Sequence, residues 1–229
     1  MTTDANEKRE NDVLQVLDKV LASPDSIIQY CAKAAKLASH FSSDKTREKR
    51  TAQFIISHYS NLTAAGGGIS ALPGLIPGIG TVLAFLGAGA LDAFLALKFE
   101  IEMAMALSHL AGFDIRDPRE QKLACLLACS ALEDIFANKG KASIGHVLDV
   151  AVHEYSTREL SKTMAKALVR VLMMITAKRW TRLFPIIGIG IEMGVNKVLS
   201  TRLGNACWKE ILYRRSSSDI VYDGEIVED

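Results

Sequence analysis

This chain has little of what marks a secreted protein. Its 229 residues include only four cysteines, which are too few and too scattered for a disulfide framework. The N-terminal residues are polar and have no apolar segment behind them, so we expect no signal peptide. Both absences predict a cytoplasmic protein with reduced thiols. Cys125 and Cys129 are four positions apart, but no further ligand stands at metal-binding spacing, so we expect both to be small core residues.

Motifs for nucleic-acid binding, phosphate binding and catalysis are also missing. Aromatic residues make up 7% of the chain and do not interleave with basic residues, which argues against single-stranded nucleic acid as a partner. The glycine-rich residues 66–68 and 77–80 lack the Lys-Ser/Thr pair of a phosphate-binding loop. No nucleophile with a base and no metal-ligand cluster stands out. We therefore predict no catalytic residue, no metal and no cofactor.

What the sequence does have is a long apolar segment over residues 63–97. It contains one charged residue, Asp92, and frequent glycine and proline, whereas a surface helix would show a polar face. Its length would cross a bilayer, which takes about 20 apolar residues. Pro73 and Pro77 interrupt its first half. The segment therefore predicts an apolar glycine-rich loop and then a helix from residue 77 to about residue 110.

The rest of the chain has helical periodicity and no alternating strand pattern, so the predicted fold class is an all-α multi-helix bundle. Ser23 and Asp117 are the expected N-caps of two of its helices. We expect a single helical domain over residues 11–215. It should be flanked by a flexible N-terminus over 1–10 and by an acidic, flexible tail over 216–229.

A second glycine-rich apolar segment begins at Pro185 and shares the pattern Pro-x-Ile-Gly with the first. Small or polar residues recur every four positions in the helix that follows each segment, which would let two apolar helical hairpins pack closely. The predicted close-packing glycines are Gly80, Gly188, Gly190 and Gly194. The predicted polar seam between the helices contains Asp92, Glu100, Glu192, Asn196 and Lys197. Because a buried carboxylate must be paired or protonated, this seam either fixes the helix register or binds an ion or proton.

A basic surface is predicted on a helix over residues 157–180. Cations four positions apart form one stripe along it, namely Arg158, Lys162, Lys166 and Arg170. Three more follow before the second apolar segment, namely Lys178, Arg179 and Arg182. A basic amphipathic helix beside an apolar segment is typical of proteins that bind an anionic membrane surface. The alternative is the solvated face of a soluble bundle.

Three motifs resemble the EcsC family of bacterial proteins over about residues 60–212. They are Ala90-Leu91-Asp92, then Gly112-Phe113-Asp114 followed by Asp117-Pro118, and finally Phe184-Pro185-Ile186-Ile187-Gly188 followed by Gly194-Val195-Asn196. Ala111 stands where the family has an aromatic residue, and Glu192 interrupts the glycine row. The family takes its name from a gene beside an ABC transporter. The resemblance implies membrane association without an established activity.

The sequence as a whole predicts a non-enzymatic helical protein at the cytoplasmic face of a bacterial inner membrane. It would bind the membrane surface or its lipid through the apolar hairpins and the basic helix, as an accessory to a membrane protein complex. One alternative is a soluble helical domain that binds a lipid or a protein. The other is an enzyme in which Asp92, Glu100 and Glu192 form a carboxylate site, which would need a further ligand such as a histidine facing the same seam.

Overall fold

The computed structural model describes residues 2–41, 43–65, 80, 84, 90–137, 156–177 and 189–224. Over these residues the chain forms seven α-helices and no strand, which confirms the all-α fold class. The helices are α1 (Thr2–Val20), α2 (Pro24–Ala38), α3 (Asp44–Ala65), α4 (Ala90–Leu110), α5 (Pro118–Ala137), α6 (Thr157–Ala177) and α7 (Ile189–Gly224).

Short polar side chains begin three of these helices. The Ser23 hydroxyl accepts a hydrogen bond from the backbone N–H three residues later, and Asp117 Oδ1 accepts one from the N–H two residues later, so both predicted caps are confirmed. Ser156 and Glu159 form a reciprocal capping box at the start of α6, in which each side chain accepts from the other residue's backbone N–H. These local interactions set where the helices begin.

Two helices extend beyond the limits that we expected from the sequence. α1 begins at Thr2, so residues 2–10, which we predicted to be flexible, are helical. α7 continues to Gly224, and the first part of the predicted tail is therefore helical as well. The hydroxyls of Ser216 and Ser217 both donate to the Tyr213 carbonyl, so these serines bond to the helix instead of ending it.

Helix α4 forms the centre of the core. α2, α3, α5, α6 and α7 all pack against it. Its largest apolar side chains are almost fully buried, including Phe94, Leu97, Ile101, Met103 and Leu107. Each such side chain contributes about 1.5–3 kcal/mol relative to an exposed position. Neighbours on most sides of α4 therefore explain why this part of the sequence lacks a continuous polar face.

The two predicted glycine-rich hairpins fall largely outside the described residues, which omit 66–79 and 178–188, and with them Gly188. The helices that follow these segments, α4 and α7, do contact each other. Gly80 is helical and exposed, with open space where a Cβ would stand. Within the part of the chain that the structure describes, no helix combines the length and apolar character needed to span a bilayer.

The close approach between helices occurs at Gly204 of α7. A Cβ on this residue would lie 2.9 Å from Cγ1 and Cγ2 of Ile56 on α3, and 2.9 Å from Sδ of Met103 on α4. Gly204 belongs to the row of small residues in the sequence but was not among the glycines that we predicted to pack closely. Gly194 was, but it is exposed, and no atom of the described residues lies within 4 Å of its Cβ position.

Gly204→Leu should therefore lower the free energy of unfolding by about 1–3 kcal/mol or more, because the added side chain overlaps the branched Ile56 side chain. Gly194→Leu is the matched control. It should be neutral or slightly stabilising, since leucine favours an exposed helical position over glycine by up to about 1 kcal/mol. Urea denaturation followed by circular dichroism measures both. Equal stabilities for the two variants would contradict the packing of α7 against α3 and α4.

Candidate functional site

A buried polar seam lies where α3, α4 and α7 meet. Thr63 Oγ1 of α3 donates to Glu100 Oε1 of α4 at 3.1 Å, and Ser200 of α7 lies beside the same carboxyl group. Nearby, Thr201 Oγ1 donates to Ser60 Oγ at 3.2 Å, which joins α7 to α3. Glu100 and Ser200 are each 3% exposed and Ser60 is fully buried. Glu100 thus lies in a polar seam, and three helices form it.

The charge state of Glu100 is set mainly by its burial. Burial raises the pKa of Glu100 to about 7, and the hydroxyls of Ser200 and Thr63 oppose this increase. Among the described residues, neither Glu100 Oε2 nor Ser200 Oγ has a partner that satisfies hydrogen-bond geometry, although both atoms are buried. The Ser200 hydroxyl can donate to an ionised carboxyl or accept from a neutral one, so burial decides which charge state is preferred. The seam is therefore most stable when Glu100 carries its proton.

Three of the remaining predicted seam residues are not buried. Asp92 and Lys197 are exposed, and Asn196 is partly exposed. Asp92 was predicted to lie in the seam, where its carboxylate would need a buried partner, but in the structure it is exposed to solvent. Glu192 and Gly190 lie within α7, but the surroundings of both residues are outside the described part of the structure.

A second buried carboxylate, Glu102, joins α4 to the connection between α1 and α2. Its Oε1 accepts from Ala22 N at 2.6 Å and from Lys98 Nζ at 2.7 Å, and the residue is 3% exposed. Lys98 and Glu102 were not among the site residues predicted from the sequence. The spacing of Lys98 and Glu102 could have indicated the pair, because residues four apart are neighbours on the surface of a helix. The contact of Glu102 with Ala22 N could not be predicted from the sequence, because the two residues are 80 positions apart in the chain.

Glu102 also borders a cluster of rings that sequence reasoning missed. The rings of Tyr30 and His58 stack with centroids 4.3 Å apart, and Tyr59 packs edge-on against both. Burial lowers the pKa of His58, which the Glu102 charge opposes, and burial raises the pKa of Tyr59. A single histidine in such a cluster ties α2 to α3 by packing, and it is neutral at physiological pH.

Glu100→Gln should change how stability depends on pH. In the wild type, the pKa of Glu100 is raised on folding from 4.5 to about 7, so stability is highest below the unfolded pKa and falls as pH rises through the folded pKa. Glutamine does not titrate. The free energy of unfolding of the variant should therefore increase relative to wild type by on the order of 2 kcal/mol between about pH 5 and pH 8.

Urea denaturation at both pH values measures this difference. Asp92→Asn is the matched control, because Asp92 is an exposed carboxylate on the same helix. It should remain within about 0.5 kcal/mol of wild type at both pH values. A constant difference between Glu100→Gln and wild type from pH 5 to pH 8 would show that Glu100 is not buried as the structure places it.

The second candidate site is the basic surface of α6. All four residues of the predicted stripe on this helix are exposed, namely Arg158, Lys162, Lys166 and Arg170. The opposite face of α6 is buried against the core through Leu160, Leu168, Val171, Leu172 and Ile175. Arg170 Nη1 lies 3.3 Å from Glu133 Oε1 of α5. The other predicted cations, Lys178, Arg179 and Arg182, lie outside the described residues.

Part of this basic surface lines a groove. The groove has a volume of about 540 Å³ and lies between α6 and the N-terminal half of α1. α6 contributes Arg158, Lys162 and Lys166 to its lining, and α1 contributes Glu7 and Glu10. The polar start of α1, whose residues 6–9 are exposed, thus forms one wall of the groove.

The cysteines lie in the core. All four are free and buried, which confirms the prediction for Cys125 and Cys129. A hydrogen bond with Cys125 and burial raise the pKa of Cys129, and burial beside Glu100 raises the pKa of Cys207. Across the described ranges, no group of three or more His, Cys, Asp or Glu side chains is placed to hold a metal ion.

Comparison with known proteins found no relative of this chain. No family model, no curated protein and no solved structure matches this chain. The motif residues Gly112, Asp114 and Asp117 form the turn between α4 and α5, where Gly112 has a φ of 99° and both carboxylates accept backbone N–H groups. The likeness to the EcsC family therefore stands on sequence motifs, one of which forms this structural turn.

Proposed function

We propose that this protein binds an anionic membrane surface through the exposed face of α6. The observation that carries the proposal is the division of this helix, with apolar residues in the core and four cations outside. The stripe from Arg158 to Arg170 extends over about 18 Å at the rise of an α-helix. Each cation close to an anionic surface contributes on the order of 1 kcal/mol. The positive charge of the stripe matches the negative charge of phosphate headgroups, although Arg170 is also paired with Glu133.

The proposal includes the two glycine-rich segments as packed apolar hairpins that add a contact insensitive to salt. It also places the protein at the cytoplasmic face of a bacterial inner membrane, as an accessory to a membrane complex. The likeness to the EcsC family supports this setting, since it implies membrane association. The basic surface and the apolar segments would then act together, with the cations steering the protein to the membrane.

A second candidate function is a soluble domain that binds a small ligand, and the groove between α1 and α6 favours it. Its volume of about 540 Å³ falls within the range of about 300–1,000 Å³ for small-molecule sites. The enzyme alternative has less support. Asp92 is exposed, and eight residues of helix, or about 12 Å, separate it from Glu100 along α4.

The charge-reversal variant Arg158→Glu, Lys162→Glu, Lys166→Glu should lose binding to vesicles rich in phosphatidylglycerol. Arg170 is kept, because its guanidinium is paired with Glu133. Vesicle flotation at about 0.1 M and 0.5 M salt measures the binding. Wild-type protein should float at both, more weakly at the higher salt, where charges are strongly screened.

The matched control is Lys33→Glu, Lys49→Glu, Lys209→Glu, which changes the net charge equally at exposed positions on α2, α3 and α7. It should float like wild type if the α6 face makes the contact. Equal loss in both variants would mean that only net charge matters. No flotation of the wild type at either salt concentration would overturn the proposal and favour a soluble ligand-binding domain.

A further inference from the structure

The groove between α1 and α6 has walls of opposite charge. Glu7 and Glu10 are on the α1 side, and Arg158, Lys162 and Lys166 are on the α6 side. Asn6, Asn11 and Ser161 add amide and hydroxyl groups, and Leu14 and Ala165 supply a small apolar part of the lining. The groove therefore presents donors, acceptors and both signs of charge around one cavity.

The charges of the two walls face each other without direct contact. None of the ion pairs among the described residues joins Glu7 or Glu10 to a cation of α6. The space between the walls, about 540 Å³, can hold a group that contacts both sides. The charged side chains of the two walls therefore border the groove without forming ion pairs with each other among the described residues.

The charge pattern selects the chemistry of the ligand. A simple anion would be attracted by α6 and repelled by the carboxylates of α1, and a simple cation would meet the reverse. A ligand with a negative group at one end and a positive group at the other satisfies both walls. Three cations against two carboxylates leave an excess positive charge, which fits a ligand whose net charge is negative.

We infer that this groove binds a phosphate ester that carries an ammonium group, with the phosphate against α6 and the ammonium against Glu7 and Glu10. A phosphate monoester carries a charge of about −1.5 to −2 at pH 7, so an aminoalkyl phosphate has a net charge of about −0.5 to −1. The headgroup of an ethanolamine phospholipid carries the same ammonium beside a phosphodiester, whose single negative charge makes the headgroup neutral overall. The inference rests on the proposed function, because the α6 cations of the groove are those of the membrane-binding stripe.

The first experiment uses soluble phosphoethanolamine and observes amide chemical shifts of the full chain by NMR. We expect shifts confined to the N-terminal half of α1 and to residues 158–166, with binding about tenfold tighter than that of inorganic phosphate. Ethanolamine alone should not bind. The variant Glu7→Gln, Glu10→Gln should bind phosphoethanolamine and inorganic phosphate equally. Asp18→Asn, an exposed change on the same helix, should keep the wild-type preference.

The second experiment identifies the source of the ligand. Vesicles with a fixed fraction of phosphatidylglycerol contain either phosphatidylethanolamine or phosphatidylcholine as the remaining lipid. If the ligand is a headgroup, wild-type flotation is stronger with phosphatidylethanolamine, and the Glu7→Gln, Glu10→Gln variant loses that difference. If the ligand is a soluble metabolite, phosphoethanolamine binds in solution and the two vesicle types float the protein equally.

The inference and the proposed function fail in different ways. Equal affinity of the wild type for phosphoethanolamine and inorganic phosphate, together with equal flotation on both vesicle types, overturns the inference and leaves membrane binding intact. Absence of flotation on every vesicle overturns the proposed function. Selective binding of soluble phosphoethanolamine in that case still supports the groove as a ligand site.

Discussion

Two buried carboxylates on α4 fix the helices that surround it. Glu100 and Glu102 are two positions apart, so they project from α4 about 200° from each other. Glu100 accepts from Thr63 and lies beside Ser200, which holds α3 and α7 together on one side. Glu102 accepts from Lys98 and Ala22 N, which holds the α1–α2 connection on another side. Because the loss of either set of contacts would leave a further buried oxygen unsatisfied, the two glutamates help to fix how α3, α7 and the α1–α2 connection sit on α4.

The fold around α4 also determines which surface is free to act. α6 packs its apolar face on α4 and α5, and this leaves the basic stripe on the outside. The N-terminal half of α1 then stands beside that stripe and adds two carboxylates, Glu7 and Glu10, to one edge of it. The α6 stripe alone would attract any anion. With Glu7 and Glu10 beside it, the groove favours anions that also carry a positive group.

The sequence predicted those features that depend on neighbouring residues in the chain. Ser23 and Asp117 were identified as caps because a cap needs only the next turn of helix, and the α6 stripe followed from spacing alone. Features that depend on distant segments were not predictable. Asp92 and Glu100 share one apolar helix, yet only Glu100 faces Thr63 and Ser200. Gly204 packs closely because Ile56 and Met103 approach it, whereas Gly194, in the same helix, has no atom of the described residues within 4 Å of its Cβ position.

The most direct test of membrane binding through α6 is to find which face of the protein contacts the membrane. Met173 on α6 and Leu37 on α2 are both exposed apolar residues, and the native cysteines are buried, so Met173→Cys and Leu37→Cys can each carry one environment-sensitive fluorophore. When vesicles rich in phosphatidylglycerol are added, binding through α6 predicts a blue shift in emission at position 173 and no shift at position 37. A shift at position 37 alone, or at neither position, would contradict binding through the basic face of α6.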